Sequence, residues 1–356
     1  MTISGVTISH RPWQWAIALA LPACSVCASL PAGLQPPKPA YKSLIATYVW
    51  TDSSRPTPAN GKVAARPTRS FATDIIYPQV AREMPHDTPR RPLVVFVHGV
   101  DSNRRQSTFL TRSLAEAGYV VLAADFPLTA RSTPGGATDA HAEEQARDIA
   151  FLVDRLADPR NARAPWATLL DASKYVVIGH STGGAVALVA GFAPDYHDPR
   201  VAGVIALSPD ACFFSRAFFS TRTLPVAIIG STNDRFSPLP NNAQWAYQNS
   251  SGPHTLATLH GGNHVYFTDY CLPDWLIAPL FRLDDTALDA TMSRYGPGAD
   301  CRPPAPHYEP ALSCSNQHTI AQTLVLAFVN DMLRGDRQAA DALIGSHGPL
   351  AVTTER

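Results

Sequence analysis

The chain has 356 residues, of which 45% are hydrophobic and only 16% charged, and its 29 Lys and Arg balance its 29 Asp and Glu. A neutral chain of this composition lacks the basic field of a nucleic-acid-binding protein and is too apolar for a disordered acidic one. Its 32 prolines follow no repeat, which excludes a collagen-like chain. The length suits one large domain or two modest ones with a sizeable core.

The first 28 residues have the pattern of an export signal. His10 and Arg11 precede an apolar stretch at 13–23, and small residues follow, so we predict cleavage after Ala28. A lipoprotein signal is an alternative, because the residues around Cys24 resemble a lipobox, and a retained membrane helix is a third. We therefore expect a periplasmic or secreted protein that meets a membrane only if Cys24 is lipidated.

Four cysteines remain beyond this signal, an even number that suits disulfides in an oxidising compartment. Four cysteines allow three pairings. We expect Cys301 to pair with Cys314, which is close to it in sequence, and this leaves Cys212 with Cys271. Four unpaired thiols are the alternative.

The chain after the signal begins with a segment at 29–43 that is rich in proline and small residues and is predicted to be a linker or arm. Strand-like runs follow at 44–50 and 70–77, separated by turn residues. We expect these two runs to form an antiparallel pair at the edge of a sheet.

From residue 93 onward, apolar β-branched runs alternate with segments of helical period. The predicted strands lie at 93–97, 119–124, 175–178, 201–207, 224–229 and, more weakly, 255–259; the predicted helices lie at 106–117, 141–156, 182–191, 241–248 and 317–333. This alternation predicts an α/β fold with a mostly parallel sheet flanked by helices on both faces. Such sheets bind ligands beyond the carboxyl ends of their strands.

One catalytic domain is predicted to span residues 44–334. Within it, the stretch 272–316 breaks the alternation and carries several prolines and two cysteines, so we interpret it as an excursion pinned by a disulfide. The last residues, 335–356, are predicted to be a loosely held tail.

The sharpest motif is Gly179-His180-Ser181-Thr182-Gly183, a G-x-S-x-G between a predicted strand and a predicted helix. This strand–turn–helix setting is typical of a nucleophile elbow, whose tight turn admits only glycine at the flanking positions. A serine hydroxyl is a poor nucleophile at neutral pH, so it needs a base and a group that orients the base.

The base and acid are sought after the serine, because proteins with such an elbow order their triad as Ser, acid, His. His264 lies in a glycine-containing loop just past the last weak strand and is the predicted base, with His260 as the alternative. Asp234, directly after the strand at 224–229, is the predicted acid. Asp210, after the preceding strand, is the alternative acid.

The amides of Val100 and Thr182 are the predicted oxyanion-hole donors, since one follows the first central strand and the other follows the nucleophile. Four aromatic residues are predicted to line the substrate cleft: Phe213, Phe214, Tyr266 and Phe267. No metal site is predicted, because the two glycines between His260 and His264 disfavour a helical HxxxH pair.

These motifs together resemble the α/β-hydrolase superfamily. The resemblance rests on VVFVHG, Asp125-Phe126-Pro127, GHSTGG, GSTNDRFSP and GGNHVYFTDYC, and the opening strands around TYVW and TDIIYP add to it. Within the superfamily the chain looks most like exported esterases grouped with dienelactone-hydrolase-like proteins, platelet-activating-factor acetylhydrolases and cutinase-like polyester hydrolases. Acetylhydrolase-type members place the acid after the preceding strand, which would favour Asp210, and true dienelactone hydrolases use cysteine where this chain has Ser181.

The resemblance implies hydrolysis of small or polymeric carboxylic esters, without cofactor, by Ser181, His264 and Asp234. We expect a monomer. Peptide or amide hydrolysis with the same three residues is a second hypothesis. A non-catalytic binding protein on a hydrolase fold is a third.

Overall fold

A computed structural model describes residues 30–80, 89–277, 293–296, 298–301 and 309–355 of the chain. The predicted export signal and Cys24 lie outside these residues, as does much of the predicted excursion. None of the described helices is long and apolar enough to cross a bilayer.

Ten strands form one sheet in the described residues. They are β1 (Ser43–Asp52), β2 (Arg69–Pro78), β3 (Arg91–Val97), β4 (Val120–Ala124), β5 (Leu170–His180), β6 (Val201–Leu207), β7 (Val226–Ser231), β8 (His254–Leu259), β9 (Gly345–His347) and β10 (Leu350–Glu355). Their order across the sheet is β1-β2-β4-β3-β5-β6-β7-β8-β10-β9. The central strands from β4 to β8 pair in parallel, and β1 and β2 pair antiparallel at one edge, as predicted.

Helices cover both faces of this sheet. They are α1 (Thr108–Glu116), α2 (Gln145–Ala157), α3 (Thr182–Phe192), α4 (Arg216–Phe219), α5 (Ala243–Asn249), α6 (Asp274–Ile277), α7 (Cys314–Arg334) and α8 (Gln338–Asp341). The predicted α/β class with a mostly parallel sheet is confirmed.

The apolar runs of the central strands are buried on both sides because successive side chains of a strand point to opposite faces. In β3, Val95 and Val97 pack with residues of α2 and α3, whereas Val94 and Phe96 pack with residues of α1 and α7. All four side chains are fully buried. Burial of each such side chain stabilises the fold by roughly 1.5–3 kcal/mol. Because these strands are buried on both faces, their sequences are continuous apolar runs.

Both ends of the described chain pack against the rest of the domain. The arm before β1 docks through Leu34, which is 1% exposed and whose carbonyl accepts a hydrogen bond from the Thr323 hydroxyl of α7 at 3.2 Å. The expectation of a loosely held tail after residue 335 is wrong, because β10 pairs antiparallel with β8 and buries Leu350 and Val352.

Among the described residues, two disulfides join Cys212 to Cys301 and Cys271 to Cys314, with Cα–Cα distances of 5.3 and 5.5 Å. The predicted pairing was therefore wrong, since closeness in sequence is not closeness in space. The segment at 298–301 lies against the loop after β6, where the Ala299 N–H donates to the Cys212 carbonyl at 2.7 Å. The Cys271–Cys314 bridge closes the excursion at the start of α7.

Candidate active site

Ser181 occupies the sharp turn between β5, which ends at His180, and α3, which begins at Thr182. Its backbone has φ 57° and ψ −130°, a strained conformation for a residue other than glycine. A Cβ on Gly179 would lie 1.9 Å from the Gly183 carbonyl oxygen, so only glycine fits there. The serine stands 9% exposed at the carboxyl edge of the sheet. The turn has the backbone form that the motif predicts.

His264 lies in the loop after β8 and its ring reaches back toward this edge. Its Nδ1 is 2.9 Å from Oδ2 of Asp234, and both residues are buried. The other carboxylate oxygen of Asp234 accepts the N–H groups of Phe236 and Ser237 at 2.9 and 2.8 Å. Because Nδ1 donates its proton to the carboxylate, the Nε2 of a neutral His264 ring is the nitrogen that can accept a proton. Ser181 and His264 border the same cleft.

The two alternative residues make other contacts. Oδ2 of Asp210 accepts the Thr182 hydroxyl at 3.1 Å, and its Oδ1 accepts the Ser237 hydroxyl. His260 is exposed and its Nδ1 lies 3.1 Å from a carboxylate oxygen of Glu309. The structure thus brings Asp234, rather than Asp210, into hydrogen-bonding contact with His264.

The predicted oxyanion donors both lie at the edge of the sheet beside Ser181. Thr182 is the first residue of α3, where a backbone N–H has no acceptor within the helix. Val100 follows β3 and borders the cleft. Gly99 brings this loop close to the serine, because a Cβ on Gly99 would lie 3.1 Å from the Ser181 Cβ.

The cleft has a volume of about 170 Å³ and apolar walls. Its apolar lining comes from Val100, Phe236, Val265, Tyr270, Leu272 and Ile277. The described residues that line the cleft include none of the four aromatic residues predicted to do so. Phe214 and Phe267 are fully buried in the two cores, and Phe213 and Tyr266 are half-buried outside the cleft lining. The chain after β6 turns toward α5, where the Trp245 indole N–H donates to the Phe214 carbonyl at 2.8 Å.

The sequence model of the alpha/beta hydrolase family matches residues 94–352, most of the chain. The chain belongs to this family.

Among solved structures, 1118 chains match this hydrolase. One of them is the ferulic acid esterase from Streptomyces cinnamoneus, with a TM-score of 0.60 over 90% of this chain and 98% of that chain. The two sequences are 22% identical, so the likeness shows the fold. No curated protein sequence matches the hydrolase.

Burial and the neighbouring carboxylates shift the pKa of His264 in opposite directions. Burial lowers the pKa of this imidazole, but the charge and hydrogen bond of Asp234, with the charges of Asp274 and Asp210, outweigh it and raise the pKa to about 9. The neighbouring His180 has its pKa held well below the ordinary value by burial and by the charge of His264. The pKa values of these two imidazoles are thus shifted in opposite directions, although their ring centroids lie only 4.6 Å apart.

Asp274 is a site residue that the sequence reasoning missed. It begins α6 and is fully buried, and its carboxylate accepts the backbone N–H groups of His264 at 2.9 Å and Val265 at 3.0 Å. Burial and the charge of Asp234 raise the pKa of this carboxyl. No local pattern around Asp274 marks it, because its role depends on how the excursion folds back over the histidine loop.

Within the described residues, one group of side chains has metal-ligand spacing: Cys271, Cys314 and His318. Its two cysteines are joined in a disulfide, so their sulfurs are not available as thiolate ligands.

Proposed function

We propose that this hydrolase cleaves carboxylic esters with Ser181 as nucleophile, His264 as general base and Asp234 as the residue that orients the base. The observation that carries the proposal is the 2.9 Å contact between His264 Nδ1 and Asp234, beside a serine held in a strained turn that borders the same cleft. These roles are the ones that a Ser-His-Asp triad requires.

In the proposed reaction, the imidazole of His264 takes the proton of Ser181 while the serine oxygen attacks the ester carbonyl. The N–H groups of Val100 and Thr182 stabilise the oxyanion of the tetrahedral intermediate. The C–O bond to the alcohol then breaks, and the alcohol leaves with the proton from His264. Water, deprotonated by the same imidazole, attacks the acyl-enzyme, releases the carboxylic acid and restores the serine.

The apolar cleft favours an uncharged acyl or aromatic group beside the scissile ester. Arg131 also borders the cleft, with its guanidinium 5.5 Å from the centre of the Tyr270 ring and its Nε 3.6 Å from a carboxylate oxygen of Asp101. One solved structure that shares the fold is named a ferulic acid esterase, so aromatic esters are among the substrates to test. Small and polymeric esters both remain within the proposal, and the reaction needs no cofactor.

A substrate panel tests the proposal. The wild-type hydrolase should cleave p-nitrophenyl esters of increasing acyl length and an aromatic ester, and it should leave peptide p-nitroanilides largely intact. Faster cleavage of anilides than of esters would instead favour the peptidase hypothesis. The acyl length with the highest kcat/KM reports how far the cleft extends.

The raised pKa of His264 predicts an alkaline pH profile. The base must be neutral to accept the serine proton, so kcat/KM should rise with pH from 7 and level off above about 9. The same shift affects stability. Because the folded pKa lies above the unfolded value of 6.5, the ion pair stabilises the fold fully below about pH 6.5, and this contribution is lost as the pH rises through about 9. A flat kcat/KM between pH 7 and 9 would contradict the assignment.

We also propose that the protein is exported. The two disulfides fit a protein of an oxidising compartment. Mass spectrometry of the mature N-terminus distinguishes cleavage after Ala28 from lipidation at Cys24.

A further inference from the structure

Gln106 is a buried polar side chain that contacts two parts of the proposed active site at once. It lies between β3 and α1 and is 2% exposed. Its Oε1 accepts the backbone N–H of Gly99 at 2.9 Å, and its Nε2 lies 3.0 Å from Nδ1 of His180. Both Gln106 and His180 border the cleft, and neither has a role in the proposed triad or oxyanion hole.

The direction of each hydrogen bond in this group follows from its partners. The Gly99 N–H can only donate, so the amide oxygen of Gln106 faces it and the amide nitrogen faces His180. An amide nitrogen can only donate, so Nδ1 of His180 accepts and the ring proton is on Nε2. That Nε2 donates to the backbone carbonyl of His264 at 3.1 Å. The lowered pKa of His180 agrees with the neutral ring that these bonds require.

At the other end of this group, hydrogen bonds to both the N–H and the carbonyl of Gly99 hold the loop that carries Val100. Gln106 takes the Gly99 N–H, and Nδ1 of His98 donates to the Gly99 carbonyl at 2.7 Å, with Nε2 of His98 accepting the Phe126 N–H at 3.2 Å. The Gly99–Val100 peptide is planar and trans, so its anchored carbonyl sets the direction of the Val100 N–H. His98 therefore sets the direction of the proposed oxyanion donor through the Gly99 carbonyl, and Gln106 holds the preceding peptide through the Gly99 N–H.

We propose that Gln106 and His180 are positioning residues, which form a continuous chain of hydrogen bonds from the oxyanion loop at Gly99 to the backbone of His264. The chain passes through His180, the residue before Ser181 in the G-x-S-x-G motif, and it fixes the oxyanion loop and the base relative to each other. Preorganised donors and bases lose rate steeply when they are displaced. This inference rests on the proposed function.

Kinetics of Gln106→Leu test the inference. Leucine has a similar size but makes neither bond, so kcat for p-nitrophenyl acetate should fall about 10- to 100-fold while KM stays close to wild type. The matched control is Gln145→Leu. Gln145 is also buried, and its Nε2 donates to the Thr129 hydroxyl at 3.0 Å instead of to a residue of the proposed triad. The control should lower Tm comparably and keep the wild-type kcat. A wild-type kcat for Gln106→Leu, or an equal loss of kcat in both variants, overturns the proposal.

The ring of His180 provides a second measurement that needs no variant activity. In protein labelled with ¹⁵N-histidine, with His180→Gln used to assign the signals, His180 should be neutral at pH 7 with its proton on Nε2. A protonated ring, or a proton on Nδ1, contradicts the hydrogen-bond chain whether or not esters are hydrolysed. If the wild-type hydrolase cleaves no ester and Ser181 takes no covalent label, the proposed function fails, and the tautomer of His180 still decides whether the chain exists.

Discussion

Ser181→Ala should lower kcat for ester hydrolysis by about 10⁴- to 10⁶-fold and leave KM and Tm close to wild type. The expected loss is large because the hydroxyl forms the acyl-enzyme, and without it only binding and oxyanion stabilisation remain. Alanine occupies no more space than serine and keeps the same backbone conformation at φ 57°, so the fold should not change.

Ser208→Ala is the matched control for this experiment. Ser208 follows β6, the strand next to β5, and like Ser181 it is buried and has a positive φ, 39°. The control variant should hydrolyse esters at the wild-type rate and should still be labelled by a fluorophosphonate at Ser181. A wild-type protein that forms no adduct on Ser181 would favour the third hypothesis, a binding protein on a hydrolase fold.

Asp234→Asn should lower kcat by about 10³- to 10⁴-fold without loss of the fold. An asparagine can turn its NH₂ group toward Nδ1 of His264, which moves the ring proton to Nε2 and removes the lone pair that the base needs. The charge of Asp234 also raises the pKa of His264, so the midpoint of the remaining kcat/KM profile should move below pH 9. Both quantities come from one set of pH-dependent kinetics.

Asp210→Asn distinguishes the two candidate acids. Asp210 accepts hydrogen bonds from the hydroxyls of Thr182 and Ser237, and an asparagine oxygen can keep one of them. The variant should therefore retain most of the wild-type kcat, with only a small downward shift of the pH midpoint. If Asp210→Asn instead loses more activity than Asp234→Asn, the acid follows β6, as in acetylhydrolase-type proteins.

The predicted elements agree with the structure where local physics is sufficient. The strand predicted at 201–207 has the observed bounds of β6, and the central helices differ from their predictions by a few residues at their ends. Continuous apolar runs identify strands buried on both faces, and glycine at positions 179 and 183 identifies a turn with no room for a Cβ. Such signals arise between residues that are close in the chain, so they can be recognised in a single sequence.

The predictions that failed depend on contacts between distant segments. The disulfide partners and the strands near the C-terminus are set by where the excursion and the last 20 residues dock. The cleft lining differs from the prediction because Phe214 after β6 and Phe267 after β8 pack into the two cores instead of the cleft. Asp274 and Gln106 carry no local pattern, although both hold backbone groups next to the proposed catalytic residues.

The sequence by itself determined the α/β class, the strand–turn–helix at Ser181 and the order of the residues that could serve it, because each follows from apolar periodicity or from steric limits on neighbouring residues. Only the tertiary structure decided which carboxylate contacts His264, which residues line the cleft and which buried side chains hold the loops around it. Those choices are made by packing between segments far apart in the chain, and residue types alone do not encode which segments meet.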